Sequence, residues 1–321
     1  MDILLLDRVR AGCKIVAEHA AHIRINHDRI AAYAATLPIT DVARPEHDPA
    51  CHYLGHGDDT AAFFLTLDAI NFGSGYFPHL RKPSGRSGYF TIAGCLNAHF
   101  QKNGPFSARD LRRLTAADCS RIFAQDPKNK PIADLMQFFA KALNELGAYL
   151  QTHFNGSFTA LIAAAGASAE RLVQLLVKMP YFKDVALYDG RQVAFFKRAQ
   201  LTAADLALAF DGHGLGRFVD LDQLTIFADN LVPHVLRVDN ILIYPEKLYA
   251  QIEAGELIAA GSKQEIEIRA SALHAVELIK AALNASGRRI NAMALDFLLW
   301  NRGQQPEYKF IPRHRTRTVF Y

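Results

Sequence analysis

Apolar positions recur at helical spacing along most of the chain. Over residues 2–18, Ile3, Leu6, Val9, Cys13 and Val16 share one stripe, Arg8, Arg10 and Lys14 lie off it, and Asp2 stands where a cap is expected. Residues 26–36 read as a second helix, stopped ahead of Pro38. From Pro38 to Asp59 the periodicity lapses into polar, proline-containing sequence, which predicts a long loop able to act as a lid. Helical spacing returns over 59–70, 87–102, 107–113 and 115–125, where Ser107-x-x-Asp110 and Thr115-x-x-Asp118 form capping boxes with aspartate in place of glutamate. A long helix over 131–153 turns Ile132, Leu135, Phe138, Phe139, Leu143, Leu146 and Leu150 inward; shorter ones fit 157–165 and 168–178, the second capped by Ser168.

One hairpin interrupts the helices. Asp184–Tyr188 and Arg191–Phe196 are short strands around Asp189-Gly190, a favoured two-residue turn. Helices resume over 197–210, 222–228, 233–238, 245–253, 262–284 and 290–301. The glycine-rich Asp211–Gly216 follows no strand of a βαβ unit, so it is a connector and not a dinucleotide fingerprint. The pattern predicts a mainly α protein with one small β-hairpin, residues 1–321 forming a single integrated unit with no clear linker.

Composition narrows the class. The 321 residues are half apolar and 21% charged, which rules out disorder over most of the chain and allows a substantial core. Lys and Arg number 36 against 32 Asp and Glu, a net +4: enough to favour an anionic ligand, too little for a nucleic-acid coat protein. Four scattered cysteines cannot build a disulfide framework, which points to a reducing cytoplasm. The apolar run at the N-terminus is too short for a signal segment, and no window nears the roughly 18 apolar residues of a membrane span.

Few motifs announce chemistry. His47, Cys51, His52 and His56 gather in ten residues, but no second ligand pair accompanies them, and they read more simply as polar residues of the lid; no metal or redox cofactor is expected. His19 and His22 read as surface residues. There is no Gly-x-Ser-x-Gly elbow, Cys-x-x-Cys or Walker loop, and Ser74 between Gly73 and Gly75 marks a tight turn. Asp229 lies in an apolar run ahead of Pro233, at a helix–turn–helix junction; it either caps the next helix or stands at a cleft to activate water or stabilise a cation. Lys197 and Arg198 begin a helix, where positive charge opposes the macrodipole; they are either solvated or hold an anion together with the free amides. Arg269 edges an apolar stripe and finds its obvious partner in Glu265, four residues earlier. The tail Pro312–Tyr321 mixes three arginines with aromatics, and its apolar ending suggests that it docks back onto the protein.

Several blocks, in order and without large gaps, resemble the queuosine salvage proteins, which act as queuosine 5′-phosphate N-glycosylases. They are Leu67–Pro78, Ser87–Tyr89, Tyr181–Val185, Phe196–Gln200, Thr225–Asp229, Glu265–Arg269, Val276–Ile279, Asp296–Trp300 and His314–Arg317. The first sixty residues match only in being helical. The resemblance implies a helical fold related to DNA glycosylases and hydrolysis of queuosine 5′-monophosphate to queuine. It also implies Asp229 as the catalytic carboxylate and Lys197, with Arg198 beside it, at the 5′-phosphate; Asp68, Asn71 and Phe72 are assigned to the base pocket. Asn230 departs from the aromatic residue common at that position. The partner so implied is a small nucleotide, with no membrane and no stable nucleic acid. Two rivals remain: a base-excision enzyme on DNA, and a non-catalytic queuine- or tRNA-binding protein that uses the arginine-rich tail.

Overall fold

The computed structural model describes residues 4–39 and 45–321. Asp2, Ile3 and part of the Pro38–Asp59 stretch lie outside them. The first helix, Leu5–Glu18, buries Leu6, Val9, Cys13 and Val16 as its stripe requires. The amide of Leu5 is taken by the Glu170 carboxylate at 2.5 Å, so a distant side chain satisfies one of the free N–H groups of the first turn. Both aspartate capping boxes form, at Ser107 and Thr115, and Ser168 caps the helix Ala169–Leu176. The hairpin pairs Val185–Tyr188 with Arg191–Ala194 in antiparallel register. No helix among the described residues is long and apolar enough to cross a membrane.

The fold is mainly α, and it departs from expectation in three places. A second, two-residue ladder pairs Arg24–Ile25 with Leu242–Ile243, too short for alternation to show in the sequence. A one-turn helix, Pro306–Lys309, was not predicted. The third departure matters most for the site: the helix expected over 222–228 is a single 3₁₀ turn, Leu221–Gln223, followed by non-helical backbone to Asn230. Leu224 to Ala228 are buried, so their backbone must find partners off the segment. Side chains provide them. Gln200 Oε1 accepts from the Thr225 amide at 2.8 Å, Asp296 Oδ1 accepts from the Phe227 amide at 2.8 Å, and Arg269 Nε donates to the Ala228 carbonyl at 2.9 Å.

These partners come from three helices, Lys197–Ala209, Ala292–Arg302 and Lys263–Ala285. The last is the axis of the core, buried without interruption from Glu265 to Leu273. Its Glu267 carboxylate accepts from the Ala21, His22 and Ile23 amides and from the Tyr188 hydroxyl, tying the first turn of chain to the hairpin. Arg269 does not rely chiefly on Glu265, which lies 3.6 Å away; it is held by both carboxylate oxygens of Asp184, at 2.9 and 2.5 Å. Helical spacing suggested the local partner, whereas the hairpin brings the better one from across the fold.

Asp184 and Arg269 are 3% and 2% exposed, so removing one charge strands the other away from water. Asp184→Ala is expected to cost about 3–5 kcal/mol of folding free energy in urea denaturation. A loss below about 1 kcal/mol would show that the pair does not anchor the core.

Candidate active site

A cavity of about 1000 Å³ opens where the ends of these elements meet. Asn71 and Phe72, just beyond the helix Asp58–Ala69, form one wall; Tyr89, Phe90 and Trp300 form an aromatic one; Lys197, Asp205, Asp229 and Asp296 supply the ionisable groups. Asp229 stands where the non-helical run meets the helix Leu231–Val238, with Pro233 as the third helical residue. This carboxylate caps a helix and also lines the cavity. Its Oδ1 caps the helix, accepting from the Leu231 and Val232 amides at 2.7 and 3.3 Å, while Oδ2 accepts no hydrogen bond from any described residue and Asp229 lines the cavity. The cap therefore fixes the group without consuming it.

Lys197 is the first residue of its helix, and its ammonium donates to the Asn71 carbonyl at 3.4 Å inside the cavity wall. Burial pushes the ammonium below its usual range, opposed by the charges of Asp229 and Asp68. Arg198 has a different fate. Its guanidinium is 2% exposed, lines no part of the cavity, and donates to the carbonyls of Asp68, Ala69, Tyr181 and Val319, with the Phe72 and Phe182 rings below 5 Å away. Its donors are spent on the fold, so adjacency to Lys197 does not bring it to a ligand.

The three residues assigned to the base separate in the same way. Asn71 lines the cavity and its amide donates to Asp68 at 3.4 Å. Asp68 is fully buried behind that wall and does not line the cavity. Asp205, which lines the cavity, was not singled out in the sequence: it sits inside an Ala- and Leu-rich helix with no motif around it. Burial raises the carboxyls of both, Asp68 further because of the charge on Asp205, and Asp205 itself is pushed up to about 7. Phe72 reaches the wall, but its ring meets Phe139 edge-on at 5.2 Å and Arg198 at 4.8 Å. Tyr89, Phe90 and Trp300 are the aromatic groups clustered at the cavity, with Trp300 edge-on to each of the other two.

Asp296 belongs to a block quoted for its resemblance but given no role. A lone carboxylate in Leu295–Leu299 was the signal that it needed a partner. Burial, and then the charge of Asp229, push its carboxyl up to about 8, so it is largely protonated at neutral pH. Two of the loop histidines, His47 and His52, also line the cavity. His47 Nε2 pairs with the Asp205 carbonyl at 3.0 Å, and His52 is held between the Asp48 carbonyl and the Tyr89 hydroxyl, both at 2.9 Å. Burial keeps both rings neutral, His52 down to about 4. Ser74 lies in the expected turn and lines the cavity: Gly73 has φ +104°, and a Cβ on Gly75 would lie 2.3 Å from the Thr316 carbonyl of the docked tail.

A helical protein whose cavity gathers several carboxylates, a buried lysine and an aromatic wall has the features of an enzyme site for a small polar molecule. The chain belongs to the queuosine salvage protein family, whose model matches residues 51–321. It is 38% identical over 311 residues to a protein of Sphaerobacter thermophilus, covering 95% of each chain, and 35% identical over 264 residues to one of Dictyostelium discoideum, covering 82% of this chain and 78% of that one. A Mus musculus relative is 30% identical over 332 residues, covering 97% and 98%. All three are named queuosine 5′-phosphate N-glycosylase/hydrolase. These alignments carry the likeness into the first sixty residues, where the sequence alone showed only helical character.

The raised carboxyls set a pH dependence. A carboxyl held at about 8 in the fold, against an ordinary 3.8, binds its proton more tightly folded than unfolded, so folding stability falls as pH rises between those values. Asp296→Asn keeps an acceptor for the Phe227 amide and abolishes the titration. The variant is expected to gain on the parent by up to about 1 kcal/mol per pH unit from pH 4 to 8 in denaturation curves, with no gain at pH 4. A difference that does not change with pH would refute the buried, neutral state.

Proposed function

We propose that this chain hydrolyses the N-glycosidic bond of queuosine 5′-monophosphate and releases queuine for tRNA modification, acting on the free mononucleotide in the cytoplasm as one unit over residues 1–321 with a glycosylase-like helical fold. The observation that carries the reading is Asp229, one oxygen locked as a helix cap and the other free at a cavity of about 1000 Å³, in a chain whose relatives bear that activity in their names. Cleavage develops positive charge on the sugar, and an ionised carboxylate beside it stabilises that charge and orients or deprotonates the attacking water. Lys197 serves as the inner cation for the sugar phosphate. With Asp296 largely protonated and the Asp68–Asp205 pair raised, its charge is opposed mainly by Asp229.

The leaving group has a particular demand. Queuine is a 7-deazaguanine, so the carbon at position 7 cannot take a proton and the pyrimidine edge must be engaged instead. Asn71 and Asp205 are the polar groups that face the cavity there, with Asp68 supporting both from behind. A net charge of only +4 over 321 residues favours this reading over a duplex-DNA glycosylase, which needs a broad cationic surface for phosphates as well as a base pocket.

Asp229→Asn preserves the capping acceptor, so melting should shift little, while queuine release followed by chromatography should fall by at least about 10³-fold. Retained turnover would remove Asp229 from the chemical step. Asn71→Ala is expected to lower kcat at saturating substrate; an unchanged kcat would confine Asn71 to binding.

A further inference from the structure

The helix Leu231–Val238 begins two residues after Asp229 and ends on Asp239, so one short element has a carboxylate at each end. Asp229 caps its start. Asp239 stands at the C-cap, where the partial negative charge of a helix end disfavours an acid. Its compensation is specific. Oδ2 accepts from the Tyr33 hydroxyl and Oδ1 from the Tyr308 hydroxyl, both at 2.7 Å. Arg302 Nε lies 3.5 Å from Oδ2 and donates to the Tyr308 hydroxyl. Both tyrosines are buried, and none of Asp239, Tyr33 and Arg302 lines the cavity. Tyr33 comes from the helix His27–Thr36, Arg302 ends the helix Ala292–Arg302, and Tyr308 belongs to the one-turn helix after it. One carboxylate thus clasps elements from opposite ends of the chain.

What the clasp fastens is a side of the cavity. Trp300, Gly303, Tyr308, Phe310 and Pro312 all line it, so the chain over 300–312 runs along one wall. Trp300 lies one helical turn beyond Asp296, whose carboxylate accepts from the Phe227 amide. Gly303 packs closely on the clasped helix: a Cβ there would lie 2.8 Å from the Leu231 side chain, and the Leu231 amide is one of the two that Asp229 caps. Further out, hydrogen bonds hold the strip. His234 Nε2 donates to the Tyr308 carbonyl at 2.8 Å, and Arg237 donates to His234 Nδ1 at 3.2 Å and to the Pro312 carbonyl at 2.6 Å, where the arginine-rich tail begins. Phe310, between these pins, is 86% exposed, so burial of the strip's largest outer side chain does not hold it in place.

We infer that Asp239 is a positioning residue for the reaction: it does not meet the substrate, but through the Tyr33 and Tyr308 hydroxyls it sets the distance between the Trp300–Pro312 side of the cavity and Asp229. The inference rests on the proposed hydrolysis and assigns the effect to binding. Asp229 is fixed at the far end of the helix by its own amide bonds, and the residue before it is fixed by Arg269. Neither restraint passes through Asp239. Loosening the clasp therefore loosens the wall against the nucleotide and leaves the reacting carboxylate where it is.

The test compares Tyr33→Phe, Tyr308→Phe and Asp239→Asn with the parent. For each, KM for queuosine 5′-monophosphate is expected to rise by on the order of 3- to 10-fold while kcat stays within about twofold. Trp300 is the single tryptophan of the chain, so its emission reads the wall directly; in the unliganded variants it should shift to the red and be quenched more steeply by acrylamide. The Tyr33→Phe, Tyr308→Phe double variant should fall short of the product of the two single effects on KM, because either loss opens the same clasp. Variants that melt lower but keep the parental KM and tryptophan emission would reduce Asp239 to a structural anchor and overturn the inference. A fall in kcat at unchanged KM, or a strictly multiplicative double variant, would overturn it as well. If the parent releases no queuine, the hydrolytic reading fails, and the Trp300 measurement still decides the clasp in the unliganded protein. Should Asp239→Asn fail to fold, the tyrosine variants, each lacking one hydroxyl, carry the test.

Discussion

The Asp184–Arg269 ion pair is the constraint on which the site depends. Burying two charges is expensive, and the fold compensates by giving each several jobs. Asp184 grips Arg269 with both oxygens and also accepts from the Lys197 amide at 3.3 Å, at the start of the helix that carries the cavity lysine. Arg269 donates to the Ala228 carbonyl, one residue before Asp229, and its guanidinium lies over the Phe195 ring at 3.9 Å. The two charged groups of the proposed chemistry are thus set from the two ends of one desolvated pair. Neither is placed by its own helix alone.

The cavity then divides its acidity. Asp68, Asp205 and Asp296 are deeply buried, and burial raises all three, so the fold does not have to accommodate four negative charges at once. Asp229 is half-buried and takes two amide hydrogens at a helix N-terminus. Of the four, the carboxylate that caps a helix is also the one that is not deeply buried.

Periodicity made the helices legible because each packs an amphipathic stripe, and the capping boxes at Ser107 and Thr115 were legible because their partners lie three residues apart. What escaped was everything held by long-range side chains. The run 224–228 looks helical in hydropathy, but Gln200, Asp296 and Arg269 satisfy its backbone from elsewhere, and no local signal encodes them. The same limit separates Lys197 from Arg198. Neighbours on a helix point about 100° apart, so a basic pair in sequence delivers one cation to the cavity and the other into the carbonyls behind it. Asp205 and Asp68 exchange places for a related reason: nothing in the motif around Asp68 reports which of two facing helices meets the cavity.

The docked tail closes the argument, because it returns to the same anchor. Tyr321 lies under the Arg269 guanidinium at 4.6 Å, and its carbonyl accepts from the Gly73 amide at 2.9 Å, beside the loop where Gly75 lets the Thr316 backbone pass. The chain end that carries Arg313 and Arg315 is therefore fixed by the cation that also fixes the approach to Asp229. The tail and the approach to Asp229 are referenced to a single buried group, so the position of the tail against the cavity is a property of the core.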